Sequence, residues 1–209
     1  FSTVTGIFGG IFTFFLVLVI TFYMAVEENA IKKIVWSIAP KNHQVYVMQL
    51  VNRMQKKVGL WLRGQLILSV IIFALTFTAL SIVHLFTGQM EYALVLALLA
   101  GLTEFVPYLG PLIAAIPAVF LALTVSPVLA IVVALVYYVI QLMENNIIVP
   151  KLMQKVIGLN PVVRIAVLLI GFKVAGVVGA ILSIPVATAV SVFIRDIFER
   201  NIQERGDDK

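Results

Sequence analysis

Phe1 to Val26 carries no Asp, Glu, Lys or Arg, and neither does Gln65 to Phe86. A helix over Val4–Val26, rising ~1.5 Å per residue, spans roughly 35 Å, enough to cross a hydrocarbon core of about 30 Å. In such a core every backbone N–H and C=O must be bonded within the protein, which favours helices. Composition agrees. The chain has 209 residues, 62% of them hydrophobic and only 12% charged, with a mean hydropathy of +1.10. A soluble domain runs near 45–50% apolar and about 25% charged. The expected class is therefore all-α: a polytopic transmembrane helical protein. The leading run lacks the basic flank of a signal peptide and is too long for one, so it is expected to be a true membrane helix.

Basic residues outnumber acidic ones 15 to 10, for a net charge of +5. They cluster beside apolar runs, as on the cytoplasmic flanks of a membrane protein. No basic stripe interleaved with aromatics points to nucleic acid. With no cysteine, disulfides, thiolate catalysis and Cys-based metal sites are excluded.

Four regions are expected. Residues 1–26 form a transmembrane helix. Residues 27–64 form a basic arm containing Lys32, Lys33, Lys41, Arg53, Lys56, Lys57 and Arg63. Within it Val47, Val51, Met54, Val58 and Trp61 recur at helical spacing, and Pro40 and Asn42 break it in two. This amphipathic arm packs on the protein's own helices or on headgroups, or else recruits a partner. Residues 65–194 form the membrane core, and 195–209 a polar, partly disordered tail. His84 falls at an interface and reads as a solvated residue.

Within the core, 92–126 and 162–194 are too long for one crossing and are punctuated by Gly and Pro. In the first these are Gly101, Pro107, Gly110, Pro111 and Pro117; in the second, Gly171, Gly176, Gly179 and Pro185. Laid side by side, Gly101 matches Gly171, Gly110 matches Gly179 and Pro117 matches Pro185, a weak internal repeat that chance similarity of Gly/Ala/Leu-rich text also explains. With the basic arm in the cytoplasm, a first hairpin enters from outside, Pro127–Met143 crosses inward, and a second hairpin enters from the cytoplasm and returns the tail there. Paired, broken, inverted segments point to the central site of a transporter.

Glu104 and Lys173 lie inside the broken segments at nearly equivalent repeat positions. A charge at the bilayer centre costs roughly 2.5–3.5 kcal/mol on insertion scales. Two readings stand. Glu104 binds a cation, proton or polar substrate with Lys173 as counter-charge, or both groups snorkel to the interface. Pro107 and Pro111 free backbone carbonyls that line a wet cavity, whereas Gly110, Gly176, Gly179 and Pro185 either shape that pathway or permit close helix packing. Glu144, Asn145 and Asn146, ahead of Pro150, form a polar gate or a helix C-terminal cap.

These stretches resemble a known family. RGQ at Arg63–Gln65, EFVPYLGP at Glu104–Pro111, QLMENNIIVPK at Gln141–Lys151, LNP at Leu159–Pro161 and SIPVA at Ser183–Ala187 are similar, in order and spacing, to the autoinducer-2 exporter family of bacterial membrane proteins. The resemblance implies a polytopic transporter of the bacterial inner membrane. Some members are linked to export of the signal autoinducer-2, and others look like sodium/proton antiporters. It also implies homo-oligomers, with pentamers among them. Members carry further N-terminal membrane helices, so this chain is expected to be the retained part of a longer protein.

The expected function is a secondary transporter in the lipid bilayer that moves a small-molecule or ion substrate, with Na+ or H+ as coupling ion and no cofactor. A sodium/proton antiporter, a passive channel and a scaffold are the alternatives. No GxxxxGK[ST], HExxH or GxSxG occurs, and Asp196, Asp207 and Asp208 all lie in the tail, so an ATPase of that type or an intramembrane protease is not expected.

Overall fold

A computed structural model describes residues 30–106, 109–153 and 160–207. The expected first span, Pro107 and Lys155 lie outside them. The described residues are helical, with no strand among them. The chain divides after Arg53 into two units.

Helix α1, Ala30–Ile38, ends before Pro40, and a short 3-10 turn, Lys41–His43, leads into α2, Gln44–Thr87. The arm is thus interrupted where Pro40 and Asn42 predict. Val47, Val51, Met54 and Val58 are half-buried and Arg53 and Lys56 exposed, whereas Lys57 is half-buried as well. The boundary expected at 64/65 is not a break: α2 runs through it as one helix. Beyond Thr87 the chain turns at Gly88, and Met90 N donates to His84 Nδ1 at 3.2 Å.

The first broken segment folds as α3, Ala93–Thr103, and α4, Leu109–Val125. At about 1.5 Å per residue these arms are only ~16 and ~26 Å long. Of the punctuating residues, Gly101, Gly110, Pro111 and Pro117 are carried within these helices, and the break falls between Thr103 and Leu109. After Thr103 the backbone tightens, with Val106 N donating to Thr103 O at 3.0 Å. The following proline then disfavours helical geometry at Val106. Pro117 sits inside α4. Ala114, Ala118 and Ala122 give α4 a face with no solvent exposure, and α4 packs against both α3 and the next helix. Such small residues let helix backbones approach closely where lipid supplies no hydrophobic drive for helices to associate.

Helix α5, Pro127–Met143, matches the expected run. Ser126 caps it by accepting from Leu129 N at 3.1 Å, with Pro127 at the first helical position. A π-helical turn, Glu144–Ile148, follows, then α6, Val149–Met153.

Helix α7, Pro161–Asp207, is folded in two at Ala175 (φ −140°, ψ 27°) and Gly176 (φ 59°, ψ −140°). Gly176 holds a conformation that L side chains rarely adopt. The two arms return on each other so closely that Gly171 and Gly179 meet backbone to backbone. This second hairpin breaks at Ala175–Gly176 rather than at Gly171, Gly179 or Pro185, and Pro185 is carried within the helix. Its returning arm continues as helix to Asp207, where the sequence suggested a partly disordered tail.

Three stretches are long and apolar enough to cross a membrane: Lys41–Thr87, Pro127–Met153 and Val162–Phe198, the last of them containing the fold at Gly176. Large apolar side chains point outward all along them, among them Leu85 at 81% and Val174 at 79% exposure. This is the surface of a helical membrane protein.

Candidate functional site

The most deeply buried carboxylate among the described residues is Glu104, 1% exposed. It stands at the C-terminus of α3, where the turn toward Pro107 begins, and its own N–H still bonds to Ala100 O at 3.1 Å. Across from it, α2 supplies Gln65, whose Nε2 donates to Glu104 O at 2.7 Å. Gln65 is itself 2% exposed. Gly110 packs so tightly on the Thr103 carbonyl and the Glu104 amide that no Cβ fits between them. Thr103 Oγ1 lies 2.9 Å from Gly110 O and 2.8 Å from Leu99 O, pinning the hairpin turn.

The Glu104 side chain faces a cavity of about 50 Å³, room for a small ion or a few waters. From α2 come Trp61, Gln65 and Leu68; from the π-turn, Glu144 and Asn145; from α6, Val149 and Met153. The second hairpin adds Arg164 from its first arm and Ile184 from its second. Residues of α2, the α3 terminus, the π-turn, α6 and both arms of α7 therefore converge on one small chamber, largely apolar in its walls but holding several polar side chains.

Its electrostatics are concentrated. Glu144 is 5% exposed and lines the same chamber as Glu104. Gln141 Nε2 lies 3.4 Å from Glu144 Oε2, a long contact. Glu104 Oε2 and Trp61 Nε1 are buried without a hydrogen-bond partner among the described residues. A carboxylate oxygen and an indole donor are thus both available to something in the chamber. Buried polar atoms are normally satisfied, and orphans of this kind point to a bound water, ion or substrate.

Of the site residues expected from sequence, the structure brings together Glu104, Glu144 and Asn145. Asn146 points elsewhere: it is exposed and its Nδ2 donates to Leu142 O at 2.8 Å. Pro150, in α6, does not line the chamber. Gly110 and Pro111 shape the start of α4, and Gly176, Gly179 and Pro185 shape the second hairpin, without lining the chamber. Pro107 lies outside the described residues.

One of the two readings pairs Glu104 with Lys173, but the structure places the two residues apart. Lys173 is exposed, two residues before the fold at Ala175, and does not line the chamber. The cation that does is Arg164, which the sequence reading passed over although it is the basic residue that opens an otherwise apolar run. Gln65 and Trp61 were also missed as site residues. Trp61 reads as an ordinary member of the arm's apolar face, and its indole donor becomes informative only once burial is known.

Among the described residues no cluster of His, Asp or Glu has the makings of a metal site. The chamber instead offers two close carboxylates, a guanidinium and neutral donors. Such a set exchanges a proton or a monovalent cation, or holds a small polar solute.

The profile of the AI-2E family transporters matches residues 1–199. YrrI of Bacillus subtilis (strain 168), a candidate transport protein, is 33% identical over 171 residues, 82% of this chain and 47% of its own length. YueF of the same organism, also a candidate transport protein, is 26% identical over 200 residues, 94% of this chain and 53% of its own. YhhT of Escherichia coli (strain K12), described in the same way, is 30% identical over 105 residues, half of this chain and 30% of its own. The chain thus spans about half the length of the first two of these curated relatives. No solved structure matches.

Proposed function

The chain belongs to the AI-2E transporter family, and on that premise we propose that it is a secondary transporter moving a small solute or signalling molecule, of the autoinducer-2 kind, across the bacterial inner membrane. The coupling ion is H+ or Na+, bound at Glu104 with Glu144 beside it. The observation that carries this reading is the Glu104 carboxylate itself: 1% exposed, one oxygen unpartnered, and facing a chamber shared with a second carboxylate. An ionisable group buried this deep in a membrane bundle is costly, and such groups mark ion and substrate routes.

The two helical hairpins support the same reading. The entering arms, ~16 Å for α3 and ~21 Å for residues 161–174, are shorter than the ~30 Å hydrocarbon core. Each suits a hairpin whose tip lies near the midplane, the architecture of alternating-access carriers. The basic arm and the C-terminal helix lie on the cytoplasmic side under the positive-inside rule. The extensive outward apolar surface suits contact with lipid and with further copies in a homo-oligomer, a pentamer being one such assembly.

The test is reconstitution of the full-length protein into proteoliposomes loaded with autoinducer-2. Imposed pH or Na+ gradients drive saturable efflux, and Glu104→Gln abolishes that drive. Efflux that rises linearly with concentration and ignores both gradients identifies a passive channel. Gradient-driven efflux that survives Glu104→Gln removes this carboxylate from the mechanism.

A further inference from the structure

Five buried side-chain atoms lack a hydrogen-bond partner among the described residues: Trp61 Nε1, Ser69 Oγ, Thr76 Oγ1, Glu104 Oε2 and Tyr137 Oη. Ser69, Thr76 and Tyr137 line neither the chamber nor the two apolar grooves, one along the second hairpin and one between α2 and α5. Trp61 and Glu104 differ: they line the chamber together, at 3% and 1% exposure. Their orphans are complementary, since an indole N–H only donates and a carboxylate oxygen only accepts.

The local structure explains why both reach one cavity. Trp61 and Gln65 stand one turn apart on the same face of α2. Gln65 Nε2 holds the Glu104 carbonyl at 2.7 Å, so Trp61 lies one turn from the point where α2 grips the first hairpin. Leu68, Val149, Met153 and Ile184 supply apolar wall around them. In such surroundings an unpaired donor and an unpaired acceptor are both costly.

Size and hydrogen-bond polarity narrow what fills the gap. The chamber measures about 50 Å³, whereas sites for small organic molecules run to about 300–1,000 Å³. A solute the size of a signalling molecule does not fit beside Glu104; a monovalent ion or a few waters do. A bare cation cannot accept from the indole and leaves Trp61 Nε1 unpaired. Water accepts from the indole while donating to the ionised carboxylate. When Glu104 is protonated, the same water accepts from both. Water therefore satisfies both orphans in either state of the carboxyl group, and Na+ leaves the indole unsatisfied in each.

We infer that a bound water bridges Trp61 Nε1 and Glu104 Oε2, and that this bridge reserves the chamber for the proton against both Na+ and the cargo. Trp61 is thus a positioning residue, acting on the carboxyl group through the water. Loading forms an O–H bond on Glu104 Oε2; the proton comes from a hydronium ion that enters with solvent and departs as water. The other charged groups lining the chamber are Glu144 from the π-turn and Arg164 from the second hairpin. They are opposite in sign, so the chamber is neutral when Glu104 carries its proton. The water site stands on the two orphaned atoms and the cavity they share; only its use in transport rests on the coupling-site reading.

Infrared difference spectra of the full-length protein in vesicles, taken between alkaline and acid medium, test this. A protonated carboxylic acid gives a C=O stretch clear of the amide bands, and hydrogen bonding lowers its frequency. Two bands are expected in the wild type: a lowered C=O band that Glu104→Gln removes, and a water O–H band that shifts in heavy-oxygen water. Trp61→Phe keeps a ring in the wall and removes the donor, and is expected to shift the C=O band and abolish the water band. A wild type without an isotope-sensitive water band overturns the bridge, whatever the variants do. So does a water band that survives Glu104→Gln or Trp61→Phe. Replacing choline by Na+ in the medium is expected to leave both bands unchanged; loss of either in Na+ puts the cation in the chamber and overturns the selectivity. Both bands present, with autoinducer-2 efflux that ignores Glu104→Gln, uphold the water site and remove only its role in coupling.

Discussion

Gln65 Nε2 donates to the backbone carbonyl of Glu104 at 2.7 Å, across 39 residues of sequence and out of reach of solvent. The bond ties the middle of α2 to the turn of the first hairpin, and so fixes where the Glu104 carboxylate stands. Gln65→Met keeps the volume and removes the donor. Loss of a buried bond of this kind costs about 1–2 kcal/mol in a membrane interior. The expected result is a lower midpoint of thermal unfolding for the detergent-purified protein. An unchanged midpoint shows that the bond contributes nothing to holding the turn.

Arg164 and Lys173 provide a second contrast. Both are basic residues on the first arm of the second hairpin, but Arg164 lines the chamber with the two carboxylates and Lys173 is exposed near the tip. Arg164→Gln should lower gradient-driven efflux about tenfold, the effect of roughly 1.4 kcal/mol on a barrier. Lys173→Gln should leave it near wild type. Efflux measured side by side in proteoliposomes decides; a larger loss at Lys173 restores it as the counter-charge.

What the sequence displays of this arrangement follows from how strongly each feature acts locally. The start of α5 is legible because Ser126 and Pro127 satisfy and preset a helix N-terminus within a few residues. Two hairpins are legible because Gly and Pro crowd two over-long apolar runs. Which residue breaks each run is not, because Pro117 and Pro185 stay inside helices once neighbouring elements hold the backbone on both sides. Glu144, expected at a gate or a helix C-terminal cap, is the C-cap residue of α5, but it is also buried and opens a π-turn, which the sequence does not announce. An extra residue per turn shifts the register away from the 3.6 period that a sequence reading assumes. The roles of Gln65, Trp61 and Arg164 depend on contacts between distant segments, and no local pattern announces those.

The glycine contacts give a third prediction. A Cβ on Gly110 would run into the Thr103 carbonyl, and one on Gly179 into the Gly171 backbone, whereas Gly59 has nothing within 4 Å. Main chain cannot swing aside as a flexible side chain can. Gly110→Ala and Gly179→Ala should each lose about 1–3 kcal/mol, the usual effect of overpacking. Gly59→Ala lies within α2 and should be neutral or gain roughly 0.5–1 kcal/mol from better helix propensity. Unfolding midpoints for the three variants check the order. Equal behaviour of all three means that the hairpin arms are not in backbone contact.

Gly176 separates two causes that usually arrive together. Like Gly59 it has open space around it, with nothing within 4 Å of a would-be Cβ. Unlike Gly59 it holds φ 59° and ψ −140°, a backbone conformation that the alanine side chain disfavours at any packing density. Gly176→Ala should therefore destabilise by about 1–3 kcal/mol through strain alone. The second hairpin can relieve that strain only by straightening at its tip, which draws Gly171 and Gly179 apart. Cysteines placed at the exposed Ile170 and Leu182, which line one groove between the two arms, in a chain that has none of its own, report the change, because a short bifunctional crosslinker joins them while the arms are folded back. Crosslinking should fall in Gly176→Ala and persist in Gly59→Ala. Undiminished crosslinking together with an unchanged unfolding midpoint means the tip is not held at that angle, and the second hairpin loses the feature that sets its fold.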